Sequence, residues 1–348
     1  MKSRPCIIVE IEDYNQHVGY GEIWCNFPGD GASYRFNLLN SIYHSSIVGF
    51  EFSNPEKLVD KITEKFKTLF VQSGDMGSFY NINSGLDCAF WDLFAKNQKL
   101  PLNHLLNAES QNHISVYASG INPSESEKKI QTARAMGIKA FKVKIGFNHS
   151  LDIDLLNFLS DFVSNEEMLM LDANQGWSFE EAKEFLKILE NYNFSWIEEP
   201  ITALLNPEKF TKLMGETKCN LAFGENITNT DEFIFLGQNS RSKYIQPDLT
   251  KYGGISLIKE LSQTIQNNKI WIHFLGGGVG LLTSAHIMSA LNPEAFLETD
   301  INMNPLRTSL FENELEIVDG KVYLESCDGI GGPLNYDTID KYLVSSNI

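Results

Sequence analysis

Between Ala140 and Asp300 the chain ends one short apolar run after another on a polar residue, at a nearly constant interval. Those run ends are Lys144, Asp172, Glu198, Glu225, Asp248, His273 and Glu298, separated by 28, 26, 27, 23, 25 and 25 residues. An interval of that size holds one strand, one helix and their connections. Such alternation specifies parallel strands with helices packed outside. The predicted strands are Ile114–Ser119, Ala140–Ile145, Met168–Gln175, Ser195–Pro200, Leu221–Glu225, Lys243–Pro247, Trp271–Phe274 and Ala295–Glu298, with a helical segment in each gap. Eight strands of this kind close into a (β/α)8-type barrel, whose chemistry gathers at the C-terminal strand ends.

The second of these strands carries the first chemical signal. Lys142 and Lys144 are two residues apart, so both point to one face. Phe141, Val143 and Ile145 argue against a solvated edge strand. Burial and mutual repulsion both disfavour two ammonium groups, so at least one lysine is expected to have a lowered pKa and to serve as a base.

The length of 348 residues exceeds what one hydrophobic core usually serves. A barrel over residues 111–305 fits, preceded by an α+β capping domain over 1–110 and followed by a tail, 306–348, that returns to the capping domain. In the first segment RPCIIVEIE and VGYGEIWC read as paired strands, Asn26–Asn40 as a glycine-rich loop, and Pro55–Phe70 and Asn81–Asn97 as helices. Glu314–Glu325 reads as a hairpin turning at Asp319–Gly320. The net charge of −17 argues against nucleic acid or anionic membranes as partners. The five scattered cysteines, without a CxxC pair, suit reduced thiols and a cytoplasmic location.

Asp172, Glu198 and Glu225 are carboxylates from three consecutive strands. Oxygen ligands alone select a hard cation, Mg²⁺ or Mn²⁺, over zinc. Glu198 is preferred over Glu199 because their faces oppose. Asp248 lies one strand before His273, and a carboxylate beside a histidine fixes its tautomer and raises its basicity. Asn174 shares a face with Asp172 and is assigned to substrate binding. The remaining histidines, His286 among them, receive no role. The run Gly276–Gly278 with Gly280 opens a helix. Its exposed amides either bind an anion or permit close packing of the turn.

The segments FKVKIG, LDANQGW, WIEEP, FGEN, QPDLTKYGG and HFLGGG stand in the order seen in the enolase superfamily, and GLDCAFWDLFAK is similar to a helix of its capping domain. The chain most resembles the mandelate racemase subgroup, along essentially its whole length. The resemblance implies Mg²⁺ on Asp172, Glu198 and Glu225. It implies Lys144 as the base on one substrate face with Lys142 tuning it, the His273–Asp248 dyad on the other face, and Glu298 on the substrate carboxylate or enolate. Asp248 separates this subgroup from relatives with a catalytic lysine there, whereas Lys251 matches both. Family capping domains open with one more strand and a mobile loop ahead of the counterpart of RPCIIVEIE, so a barrel mouth without that lid is expected.

These residues suit removal of a proton α to a carboxylate, giving an enediolate. Dehydration of an acid sugar or hydroxy acid to a 2-keto-3-deoxy acid is the expected outcome. Racemisation or epimerisation is the alternative, and an inactive, sensory relative without the lid is a further one. The expected partners are a small-molecule carboxylate substrate and further copies of the chain in a homo-oligomer.

Overall fold

The computed structural model describes residues 4–239, 241–266 and 269–346. One helix, Met76–Gln98, belongs to the two largest hydrophobic cores among the described residues. Phe79, Ile82, Leu86 and Phe90 face a capping core. Cys88, Trp91 and Ala95 face the barrel core. A helix covered on both sides is apolar around most of its circumference, which is why this stretch reads as strongly buried.

In chain order the capping layer begins with β1 (Ile7–Glu12) and β2 (Val18–Ile23), paired antiparallel from Ile7↔Ile23 to Glu12↔Val18. Helices α1 (Gly31–Leu38), α2 (His44–Ile47), α3 (Pro55–Ser73), α4 (Met76–Gln98) and α5 (Leu102–Leu106) follow. Asn54 caps α3 by accepting from the Glu56 amide at 2.9 Å, with Pro55 in the first turn. β2 lies against α4 so closely that a Cβ at Gly21 would fall 2.0 Å from the Gly85 carbonyl oxygen. Only glycine fits there.

The expected loop over Asn26–Asn40 is largely helical instead. Beyond Pro28 and Gly29 the residues Phe36, Leu39, Ile42 and Tyr43 recur at helical spacing and pack on the capping core. The Tyr43 ring lies tilted against that of Phe66, with centroids 4.5 Å apart, and its hydroxyl donates to Asn83 Oδ1 at 3.0 Å. Tertiary burial outweighs the local glycine signal.

The barrel is built from β3 (His113–Ile121), β4 (Ala140–Lys144), β5 (Met168–Asp172), β6 (Ile197–Glu198), β7 (Leu221–Phe223), β8 (Tyr244–Ile245) and β9 (Phe296–Asp300). β3 to β8 pair in sequence and in parallel, and β9 pairs in parallel with β3. Helices α6 (Ser126–Ala135), α7 (His149–Phe162), α8 (Phe179–Leu189), α9 (Pro207–Gly215), α10 (Thr230–Asn239), α11 (Gly254–Thr264) and α12 (Gly278–Leu291) fill the gaps. The predicted strand Trp271–Phe274 is the exception. Its amides at Trp271 and His273 donate to Ile245 and Pro247 carbonyls at 2.8 and 3.1 Å, and Ile270 bridges Ile245. Among the described residues no ladder joins it to β9.

The tail divides its contacts. After α13 (Pro305–Thr308), the hairpin β10 (Ile317–Val318) and β11 (Lys321–Tyr323) pairs antiparallel with β3. Further on, the Ile330 amide donates to Asp92 of α4 at 2.8 Å, and Tyr336, at the start of α14 (Tyr336–Tyr342), meets Glu10 of β1.

His286 ties α12 to α5 and to this tail. Its Nδ1 accepts from the Asn103 amide at 3.2 Å and its Nε2 meets the Ile330 carbonyl at 3.0 Å. Burial pushes its pKa down to about 4. The unfolded chain therefore takes up a proton near pH 6.5 that the folded one refuses. Stability from this residue is complete above pH 6.5 and falls as the pH drops towards 4. Urea midpoints measured across that window should fall for the wild type, with a smaller slope for His286→Gln.

Candidate active site

Strand alternation builds the site in two layers. The lower layer contains Tyr117, Ala140, Met170, Trp196 and Ala222, with Tyr244, Trp271 and Phe296 packed against it. Trp196 is fully buried, edge-on to Tyr117 at 5.8 Å and to Trp271 at 5.2 Å. The barrel floor is an aromatic plug. Trp196→Ala should cost about 3–5 kcal/mol of folding stability, read from the urea midpoint.

Two residues further along each strand, side chains return to the same face. That position is Lys142 after Ala140, Asp172 after Met170, and Glu198 after Trp196. It is Gln246 after Tyr244, His273 after Trp271, and Glu298 after Phe296. A charged layer thus rests directly on an apolar floor.

Lys142 is the centre of that layer. Its Nζ lies 2.7 and 2.8 Å from the two Glu198 oxygens and 2.8 Å from Glu298 Oε1. Burial alone would lower its pKa, but Glu198, Glu298, Tyr117 and Asp172 together push it well above the usual lysine value. The sequence argument from paired ammonium groups fails at this residue because buried carboxylates, not Lys144, are its nearest charges. Lys144 instead reaches the rim, where its Nζ donates to Asn174 Oδ1 at 2.6 Å. The Asn174 amide group in turn donates to Asp172 Oδ1 at 2.6 Å.

Glu225, after β7, meets Lys251 Nζ at 3.0 Å and His273 Nε2 at 3.0 Å. Burial opposes its ionisation, yet His273, Lys251 and Lys142 hold its pKa below the carboxylate range. His273 Nδ1 lies 2.8 Å from Asp248 Oδ2, and Asp248 Oδ1 accepts from the Thr250 amide and hydroxyl at 2.8 and 2.7 Å. Burial would lower the His273 pKa, but Glu225, Glu298 and Asp248 raise it to about 9. A carboxylate stands at each nitrogen, which favours the protonated ring.

Negative charge is in surplus here. Glu198 is pushed up to about 7, chiefly by burial, with Asp172, Glu298 and Glu225 adding to it. Glu199 is pushed up to about 8 by burial and by Glu225, and its Oε1 is buried with no hydrogen-bond partner among the described residues. Glu198, Glu225 and His273 offer ligand atoms within 4.8 Å of one another. Asp172, also assigned to the metal, is outside that group, and it faces Glu198 in the strand register while its Oδ1 accepts from Asn174. The backbone is strained at the same place. Asn174, Gln175 and Glu199 have φ of +44°, +61° and +37°, in the left-handed region. Strain of this kind persists where surrounding structure enforces it, often at functional sites.

Four neighbours escaped the sequence reading as members of this site. Gln246 Nε2 donates to Glu198 Oε2 at 2.7 Å, and Tyr117 donates to Glu298 Oε2 at 2.9 Å. Lys251 grips Glu225, and its ammonium lies 5.2 Å from the centre of the Trp24 ring, which brings the capping layer to the barrel mouth. Gln246 was visible in principle, since it shares a face with Asp248. Nothing local marks Tyr117 or Trp24.

Residues 125–338 match the family model described as enolase C-terminal domain-like, which is more than half of the chain. The chain belongs to the enolase superfamily. It is 30% identical to the L-talarate/galactarate dehydratase of Salmonella typhimurium, over 80% of this chain and 69% of that protein. It is 26% identical to the arabinonate dehydratase of Saccharolobus solfataricus, over 98% of this chain and 91% of that protein. The crystal structure of a mandelate racemase/muconate lactonizing enzyme from Bordetella bronchiseptica superposes with a TM-score of 0.90 at 31% identity, covering 97% of this chain and 94% of that one. A superfamily enzyme of the mandelate racemase type, a barrel with a capping domain, is therefore what the motifs and the fold both describe. No described helix is long and apolar enough to cross a membrane.

Proposed function

We propose that this enzyme removes the proton α to the carboxylate of an acid sugar and expels the β-hydroxyl as water, leaving a 2-keto-3-deoxy acid. The observation that supports this best is the placing of Lys144 and His273 on non-adjacent barrel units, with the carboxylate-bearing ends of β5, β6 and β7 between them.

In the proposed sequence Lys144 Nζ takes the C2 proton, and the released electron pair forms the enediolate. His273 Nε2 then gives its proton to the C3 hydroxyl as the C3–O bond breaks, so that water departs. The resulting enol takes a proton at C3 and becomes the ketone. Asp248 stabilises the imidazolium from behind. Asn174 orients Lys144, and Glu298 anchors the Lys142 ammonium beside it.

Asp172, Glu198 and Glu225 would hold a divalent cation, Mg²⁺ or Mn²⁺. The residues present fit one, since these three donors are all oxygen and Glu198 and Glu225 offer ligand atoms within 4.8 Å of each other. Such a cation supplies electrostatic stabilisation of the developing dianion.

The two relatives named above are dehydratases by name, which favours water loss. Racemisation or epimerisation is the second reading, because the same two groups allow His273 to return a proton to C2. The test is incubation with Mg²⁺ and a panel of aldonic and aldaric acids, followed by trapping of 2-keto acids. A trapped keto acid supports dehydration. Inverted stereochemistry without one supports the second reading, and neither outcome with any acid would speak against both.

A further inference from the structure

The glycine run after His273 suits either an anion site or tight packing. The structure places a carboxylate of the chain itself there. Glu22, on β2 of the capping layer, is 4% exposed. Its Oε1 accepts from the Gly277 amide at 2.6 Å and its Oε2 from the Gly280 amide at 2.8 Å. Both amides belong to the first turn of α12, where backbone donors have no partner within the helix. The carboxylate also lies on the favourable end of the helix dipole.

The glycines are shaped to this carboxylate. A Cβ at Gly276 would fall 2.4 Å from Glu22 Oε1, and one at Gly277 would fall 3.1 Å from Oε2 and 2.8 Å from Cys6 Sγ. Ordinary side chains there would expel Glu22. The segment enclosing the carboxylate begins at His273. Phe274 packs over Gly280, where a Cβ would lie 2.4 Å from its ring. The Leu275 carbonyl accepts from Asn26 Nδ2 of the capping layer at 2.9 Å. The Phe274 amide reaches Glu298 Oε2 at 3.4 Å. His273 has no strand neighbour on its β9 side among the described residues, so the loop beyond it needs another anchor.

We propose that Glu22 is a positioning residue: its carboxylate, seated in the amide socket of Gly277 and Gly280, sets the placement of the loop that carries His273 and couples it to the docking of the capping domain. This rests on the reading of His273 as the acid of the reaction. Glu22 touches no reacting atom. Its loss should displace His273 and leave Lys144, five barrel units away along the sheet, in place.

The test is Glu22→Ala with and without added formate. Substrate α-proton exchange in D₂O reports the Lys144 step, and keto-acid formation reports the His273 step. We expect keto-acid formation to fall about 10- to 100-fold, the scale of a misplaced catalytic group, while α-proton exchange persists and KM changes little. Formate, a carboxylate small enough to enter the vacated socket, should restore turnover in the variant and leave the wild type unaffected. Equal loss of both signals without formate rescue would make Glu22 merely structural, and unchanged turnover would remove it from the account; either overturns the proposal. A readout independent of activity is amide hydrogen exchange at Gly277 and Gly280 in ¹⁵N-glycine-labelled protein. Protection should drop in the variant and return with formate. Protection unchanged in Glu22→Ala would overturn the proposal even if no substrate is found, whereas a wild type inactive on every acid, with the protection change present, would count only against the catalytic reading.

Discussion

Lys144→Ala should lower kcat by about 10²- to 10⁴-fold, the usual contribution of a positioned general base, and should abolish α-proton exchange. The fold should hardly notice. Lys144 reaches out of the charged layer and makes its hydrogen bond to Asn174 at the rim, not to a buried carboxylate. The thermal midpoint should therefore stay close to that of the wild type. Steady-state kinetics and a melting curve on the same preparation check both halves. A variant that keeps its turnover would remove Lys144 from the chemistry.

Lys142→Met should show the opposite balance, with a large loss of stability. Its ammonium is the shared partner of Glu198 and Glu298, all three nearly out of contact with water. Removing one member of a buried ion cluster leaves uncompensated charge and costs about 3–5 kcal/mol. The metal-free variant should lose more stability as the pH rises. Glu198 already has a raised pKa of about 7 with Lys142 present. Without Lys142 the folded state holds that proton still more tightly than the unfolded chain does, so stability falls as the pH climbs through the unfolded carboxylate range and up to the folded value. Added Mg²⁺ should recover part of the loss by binding only the folded state. Urea titrations at several pH values, with and without Mg²⁺, measure each effect. A variant as stable as the wild type would mean that the Lys142 cluster contributes little.

Much of this architecture was legible because two periods reinforce each other in the sequence. The interval of about 25 residues marks the barrel units, and the period of two inside each strand sets Lys142 beside Lys144 and Asp172 beside Asn174. The same period separates the aromatic floor at Trp196 and Trp271 from the charges at Glu198 and His273. What escaped lies in contacts that no local pattern records. The helix from Gly31 onward was hidden by Pro28, Gly29 and Gly31, because its support comes from α3 and α4. The segment Trp271–Phe274 has strand composition, but among the described residues no ladder joins it to β9. The pKa of Lys142 could not be read from Lys144 beside it, since the deciding charges come from β6 and β9. The partner of the glycine run, Glu22, lies more than 250 residues away in sequence.

The central claim is that Lys144 and His273 act on a carbon acid held above the carboxylate layer. The most direct measurement is proton NMR of the protein in D₂O with Mg²⁺ and a panel of acid sugars and hydroxy acids. The account predicts loss of the α-proton signal of at least one acid, accompanied by the signals of a keto-deoxy acid, both abolished in Lys144→Ala. An α-proton that persists in every acid, in wild type and variant alike, would contradict it.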